Sequence, residues 1–198
     1  VAPWQIGALL ADWPRAVRSV DDRPPLYDTI ASVITPMYEQ ESGPVTPPRA
    51  ALQLSGAAPD HAVIAADPGT AGFWIARTFP TGVPGSVVVP ALRQPGFAVA
   101  AGIVAGLDGR PCVSVVDGPL DDASEAALEV ARRLGVSVSV QVWEPGDTSA
   151  DDHLDLTRAG FAAAADGSGR IDTVGVDATC LEVITDAVGP VTAWQHGS

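Results

Sequence analysis

Arg110-Pro-Cys-Val-Ser-Val-Val-Asp-Gly-Pro-Leu-Asp-Asp122 is the stretch whose reading decides the fold. Val113, Val115 and Val116 make a short β-branched run that stops at Asp117-Gly118, a polar break. A helix signal follows, with Asp122 as N-cap, Glu125 three residues on, and Ala127, Val130, Ala131 and Leu134 along one face. Strand, acidic turn and helix in that order are how an open parallel sheet presents a ligand edge, beyond the carboxyl ends of its strands. Asp117 therefore stands where a carboxylate can hold a metal ion or a polar ligand, and equally where a plain Asp-Gly turn would stand.

The same grammar extends in both directions. Strand candidates are 62–66, 86–90, 111–116, 136–142, 171–174 and 190–194; helix candidates between them are 70–79, 96–107, 122–134, 152–165 and 177–187. Asp122, Asp152 and Asp177 lie at or near the N-caps of three of these helices. The alternation predicts an α/β fold, a doubly wound and mostly parallel six-stranded sheet with helices on both faces. Residues 1–44 read as a helical lead-in, the tail of a preceding domain, and 45–198 as the α/β domain. Helical spacing covers Trp4 to Val17 and Leu26 to Gln40, with Pro36 expected to kink or end the second; a third helix is expected over Pro48 to Ala57.

Composition narrows the function classes. The 198 residues carry a formal net charge of -13, which speaks against nucleic acid and anionic membranes as partners. Every basic side chain is Arg; Lys and Asn are both missing, which removes a phosphate-loop lysine and a Schiff-base lysine. Cys112 and Cys180 are unclustered and read as core thiols. His61, His153 and His196 are scattered and read as surface or helix-end residues. No apolar run is long enough for a membrane span and no signal peptide is visible, so the expected setting is cytoplasmic. The Val-Ala-Pro opening suggests a piece of a longer polypeptide.

Phe97 to Leu107 is apolar all round and rich in small residues, and it follows Arg93-Gln-Pro-Gly96, which makes its N-terminus a candidate anion site. Asp67-Pro-Gly-Thr70 closes the first strand of the alternation, Trp143-Glu-Pro-Gly146 follows strand 136–142, and Gly43-Pro-Val-Thr-Pro-Pro-Arg-Ala50 leads the domain in. Taken in order with Val116-Asp-Gly118, these segments resemble the C-terminal cofactor domain of thiamine-diphosphate enzymes of the acetolactate synthase type, over about Val45 to Val191.

The resemblance implies a diphosphate held through Mg²⁺. Asp117 takes the place of the Asp in the family's Gly-Asp-Gly motif, Glu144 stands where a ligating Asn is usual, and the carbonyl of Gly146 is third. Gly69, Thr70, Arg93, Gln94, Pro95, Gly118 and Pro119 fall at cofactor-contacting positions. The implied activity of the full protein is decarboxylation or carboligation of a 2-oxo acid, as a lyase or transferase, in a homodimer or homotetramer. No residue here is assigned a catalytic role, because the activating carboxylate of such enzymes sits on another domain and the cofactor does the bond-making. The sequence departs from the pattern at Val116 for the first glycine, at Glu144, and at Pro95 where a bulky apolar prop is usual. A degenerate, non-catalytic homologue acting as scaffold or regulatory subunit is thus the alternative. A nucleotide-binding module of another kind is disfavoured, because no Gly-x-Gly-x-x-Gly follows a strand.

Overall fold

The computed structural model describes residues 25–188. In chain order its elements are α1 (Pro25–Glu39), α2 (Pro47–Ala57), β1 (Val63–Ala66), α3 (Thr70–Thr78), β2 (Val87–Val88), α4 (Phe97–Leu107), β3 (Cys112–Asp117), α5 (Asp122–Leu134), β4 (Ser139–Pro145), α6 (Ala150–Asp166), β5 (Arg170–Val176) and α7 (Cys180–Val188). The strands form one sheet in the order β2-β1-β3-β4-β5, and every pairing is parallel. The expected doubly wound α/β architecture is what these residues build. The strand expected over 190–194 and the helix over Trp4 to Val17 lie outside the described residues.

Strand alternation sorts the core into two layers. Ile64, Val113, Val115, Trp143 and Val174 point to one face, where Leu54 of α2, Ile75 of α3 and Phe161 of α6 cover them. Val63, Ala65, Cys112, Val116, Val140 and Val142 point to the other, under Ala98, Val99 and Ile103 of α4 and Ala131 of α5. Gly102 exists because α4 runs close over β3: a Cβ there would press on Ser114 Oγ, whose hydroxyl donates to the Ala98 carbonyl at 2.8 Å. Helix α1 joins a third cluster, with Ile34 and Met37 against Phe73 and Trp74 of α3 and Cys180 and Ile184 of α7. Both thiols are buried, as expected.

Several local expectations are corrected. Pro36 lies inside α1 and does not end it; it costs the helix one N–H bond, and the flanking Ile34 and Met37 are anchored in the core. Strand β4 starts and ends three residues later than expected, because the chain leaves α5 through a left-handed Gly135 (φ 67°) and Val136 N–H still bonds back to Ala131. Helix α5 is capped by Asp121, not Asp122: the Asp121 carboxylate accepts from Ser124 N–H at 2.7 Å. Its buried stripe is Ser124, Ala127, Leu128 and Ala131, while Val130 and Leu134 face water. Helix α6 is capped by Ser149, with Asp152 at the reciprocal position of a capping box.

Candidate functional site at the carboxyl rim of the sheet

Asp117 is the last residue of β3 and Glu144 the sixth of β4, so both stand at the carboxyl rim of neighbouring parallel strands. They do not face each other. The register partner of Asp117 is Trp143, whose side chain lies in the α2–α3–α6 layer, while Val142 lies in the α4–α5 layer. Alternation therefore turns Asp117 toward α3 and Glu144 toward the opposite face.

The Asp117 carboxylate is already engaged. Its Oδ1 accepts from Ala71 N–H at 2.7 Å in the first turn of α3. The N-cap of that helix is Gly69, which has no side chain to cap with. A Cβ on Gly69 would run into Asp117 Oδ2, so the glycine is what lets the carboxylate settle there. Asp67 repeats the arrangement on the other face. It follows β1, and its Oδ1 accepts from Ala98 N–H at 2.8 Å in the first turn of α4, whose N-cap Gly96 (φ 71°) is also bare. Two helices thus begin with open N-termini, and each is closed by a carboxylate from a neighbouring strand end.

Burial raises the Asp117 carboxyl above the usual carboxylate range; the N–H groups of Ala71 and Thr70 pull it back, and the charge of Asp67 adds to the rise. Asp67 is raised too, by burial first, against the pull of Ala98 N–H, with Asp121 adding repulsion. Asp121 moves the other way, held low by Ser124 and, more weakly, by Arg93. The rim is thus a group of mutually repelling carboxylates.

The remaining expected positions scatter around this rim. Thr70 opens α3 and is exposed. Arg93, Gln94 and Pro95 are exposed in the loop before α4, where the Gln94 carbonyl accepts from Phe97 N–H. Gly118 (φ 63°) turns the chain out of β3, and its N–H donates to the Trp143 carbonyl at 2.7 Å; Pro119 beyond it is exposed. Gly146 packs on Gly175 so closely that a Cβ on it would strike the Gly175 Cα. Asp67 completes the site; sequence reading named Gly69 and the helix end at Gly96 but missed that strand-end carboxylates fill both bare caps. The signal was available: each is a glycine at a helix start, next to a strand end whose last Asp has the right parity.

This arrangement does not fit a magnesium-bridged diphosphate. The α3 N-terminus, where an anion would bind, holds the Asp117 carboxylate. Asp117 and Glu144 turn to opposite faces. His153 lies in the first turn of α6, a helix end as expected, but not at the surface: it is fully buried between α6, α2 and β4. Among the described residues no helix is long and apolar enough to cross a membrane.

No family model matches the chain, and no curated protein matches it. Among solved structures it is similar to the benzoylformate decarboxylase from Polynucleobacter necessarius, with a TM-score of 0.52 at 14% identity. The similarity covers 68% of this chain and 33% of that one, so the chain spans about a third of the decarboxylase's length. At that identity the likeness is one of fold, and it extends to the α/β architecture that the sequence resemblance to thiamine-diphosphate enzymes implied.

Proposed function

We propose that the chain is a cofactor-domain relative of the thiamine-diphosphate enzymes that has closed its own diphosphate site and serves as a scaffold or regulatory partner. The observation that carries this reading is the Asp117 carboxylate bonded to the N-terminus of α3 over a glycine cap. A tethered carboxylate there satisfies the backbone N–H groups and repels an incoming diphosphate. Asp67 does the same for α4, so both open helix ends of the rim are filled from within. The departures at Val116, Glu144 and Pro95 agree with that outcome. Its partners on this reading are further protein domains, in a homodimer or homotetramer. Isothermal titration with thiamine diphosphate and Mg²⁺ tests it: no heat of binding at millimolar cofactor is expected, and saturable micromolar binding would sink it.

A second reading is favoured by the placement of Asp117 and Glu144 on one rim of adjacent parallel strands, together with the fold shared with a decarboxylase. Here the chain is the Mg²⁺- and thiamine-diphosphate-holding part of an enzyme acting on a 2-oxo acid. It requires Asp117 to leave α3, so on this reading a Mg²⁺-dependent loss of protection at Ala71 N–H accompanies cofactor binding.

A further inference from the structure

On the far side of Trp143 lies a buried polar network that the rim does not use. His153 of α6 is fully buried. Its Nδ1 is 2.6 Å from Gln53 Oε1 of α2, and its Nε2 is 3.3 Å from Gln141 Oε1 of β4 and 3.4 Å from Thr157 Oγ1 one turn along α6.

The proton order of this network is determined from its ends. Gln53 Nε2 donates to the Ala150 carbonyl at 2.8 Å, so Gln53 Oε1 is the atom that meets the histidine, and as an acceptor it requires a hydrogen on Nδ1. From the other end, the Trp143 indole N–H can only donate, and it does so to Gln141 Oε1 at 3.1 Å. Gln141 Nε2 then donates to Thr157 Oγ1 at 3.0 Å, which leaves the threonine hydrogen for His153 Nε2. The short Gln53 contact sets the neutral tautomer, with the hydrogen on Nδ1 and the lone pair on Nε2, and the threonine hydrogen is compatible with it.

We infer that His153 is an acid-sensitive pin, which in its neutral state fastens α2 and α6 to the rim end of β4 and on protonation releases Trp143. A second proton on Nε2 reverses the threonine hydrogen, turns the ring into a competitor of the Trp143 indole for Gln141 Oε1, and places a full charge where its direct partners are all uncharged. The groups that face the ring are all uncharged: Gln53 from α2, Gln141 and Trp143 from β4, and Thr157 from α6. From β3 the layer supplies Val113 and Val115; from β5 it supplies Val174 and, as the register partner of Gln141, Asp172, whose carboxylate is paired with Arg170. Asp152, the neighbour in sequence, is exposed and bonded to Ser149. Burial alone lowers the imidazole from 6.5 to about 4, in agreement with this accounting. The release reaches the rim because the Trp143 carbonyl accepts from Gly118 N–H, the residue after Asp117.

The test follows the ring and the indole together. Nitrogen-15 NMR of the histidine side chains, assigned with a His153→Asn variant, is expected to show an Nδ1–H tautomer at pH 7. The Trp143 indole resonance, assigned with Trp143→Phe, should collapse as pH falls through the His153 titration, while far-ultraviolet circular dichroism is retained. Asn keeps the donor toward Gln53 and cannot titrate, so in His153→Asn the indole signal should persist at least one pH unit lower. An Nε2–H tautomer, a Trp143 signal unmoved while His153 protonates, or the same acid transition in the variant would each overturn the proposal. If the variant does not fold, the wild-type tautomer and the paired titration decide it alone.

Discussion

Five of the described helices start in two different ways. Helices α2, α5 and α6 carry their own caps, Thr46, Asp121 and Ser149, each accepting from an N–H three residues along. Helices α3 and α4 begin at glycines and borrow Asp117 and Asp67 from strand ends 46 and 31 residues away from the N–H groups they serve. Own caps are local in sequence, whether exposed like Asp121 or fully buried like Thr46. Borrowed caps are half-buried carboxylates that repel each other, and they survive because parity of the strand aims each one at its helix. The lesson is that a bare helix end at a sheet rim is a place made for an anion, and this chain supplies the anion itself.

Changing the glycine under a borrowed cap should have the largest effect. Gly69→Ala drives a methyl into the Asp117 carboxylate, which can yield only by giving up its bond to Ala71 N–H, so the expected cost is at least that of the lost cap, about 2 kcal/mol or slightly more, as read by chemical denaturation. A loss no larger than that of an ordinary surface substitution would mean that Asp117 does not rest there. Asp117→Ala leaves Ala71 N–H without its partner, and about 2 kcal/mol should be lost. Ser149→Ala, the own-cap control, should cost about 1 kcal/mol, because water can reach the freed N–H. Equal losses at Ser149 and Asp117 would dissolve the distinction between the two kinds of cap.

Asp117→Asn is the mildest change and the most diagnostic, because it keeps an acceptor and removes the charge. The folded pKa of Asp117 is raised, so between the ordinary carboxylate range and that value the native state binds more protons than the unfolded chain. Its contribution is therefore fully present at low pH and is lost as pH rises through the folded pKa. The variant should match the wild type within a few tenths of a kcal/mol at pH 7 and lack this part of the pH dependence. His153 has the opposite sign: its folded pKa is depressed, so the stability it supports is complete above 6.5 and drains away as pH falls toward about 4. Paired stability–pH curves for Asp117→Asn and His153→Asn should diverge in opposite directions.

Most of the fold was legible, because β-branched runs and polar breaks alternate with helical spacing, and these are local signals. The carboxylates were legible as strand-end residues. Their use was not: what Asp117 caps lies before it in the chain, and what Asp67 caps lies beyond β2. The burial of His153 was missed for a like reason. A histidine on a helix with acidic neighbours reads as a surface residue until Gln53 arrives from 100 positions away. Register corrections at β4 came from the turn after α5, where one left-handed glycine and a back-bonded valine take up the residues assigned to the strand.

The packing of Gly69 under Asp117 has one further consequence. An occupant that belongs to the chain cannot be diluted: its effective concentration at the helix end is set by a short, stiff tether, in the millimolar range or above by order of magnitude. Any free anion must outcompete it at that level. A single substitution at position 117 would remove that competitor from every copy of the protein at once.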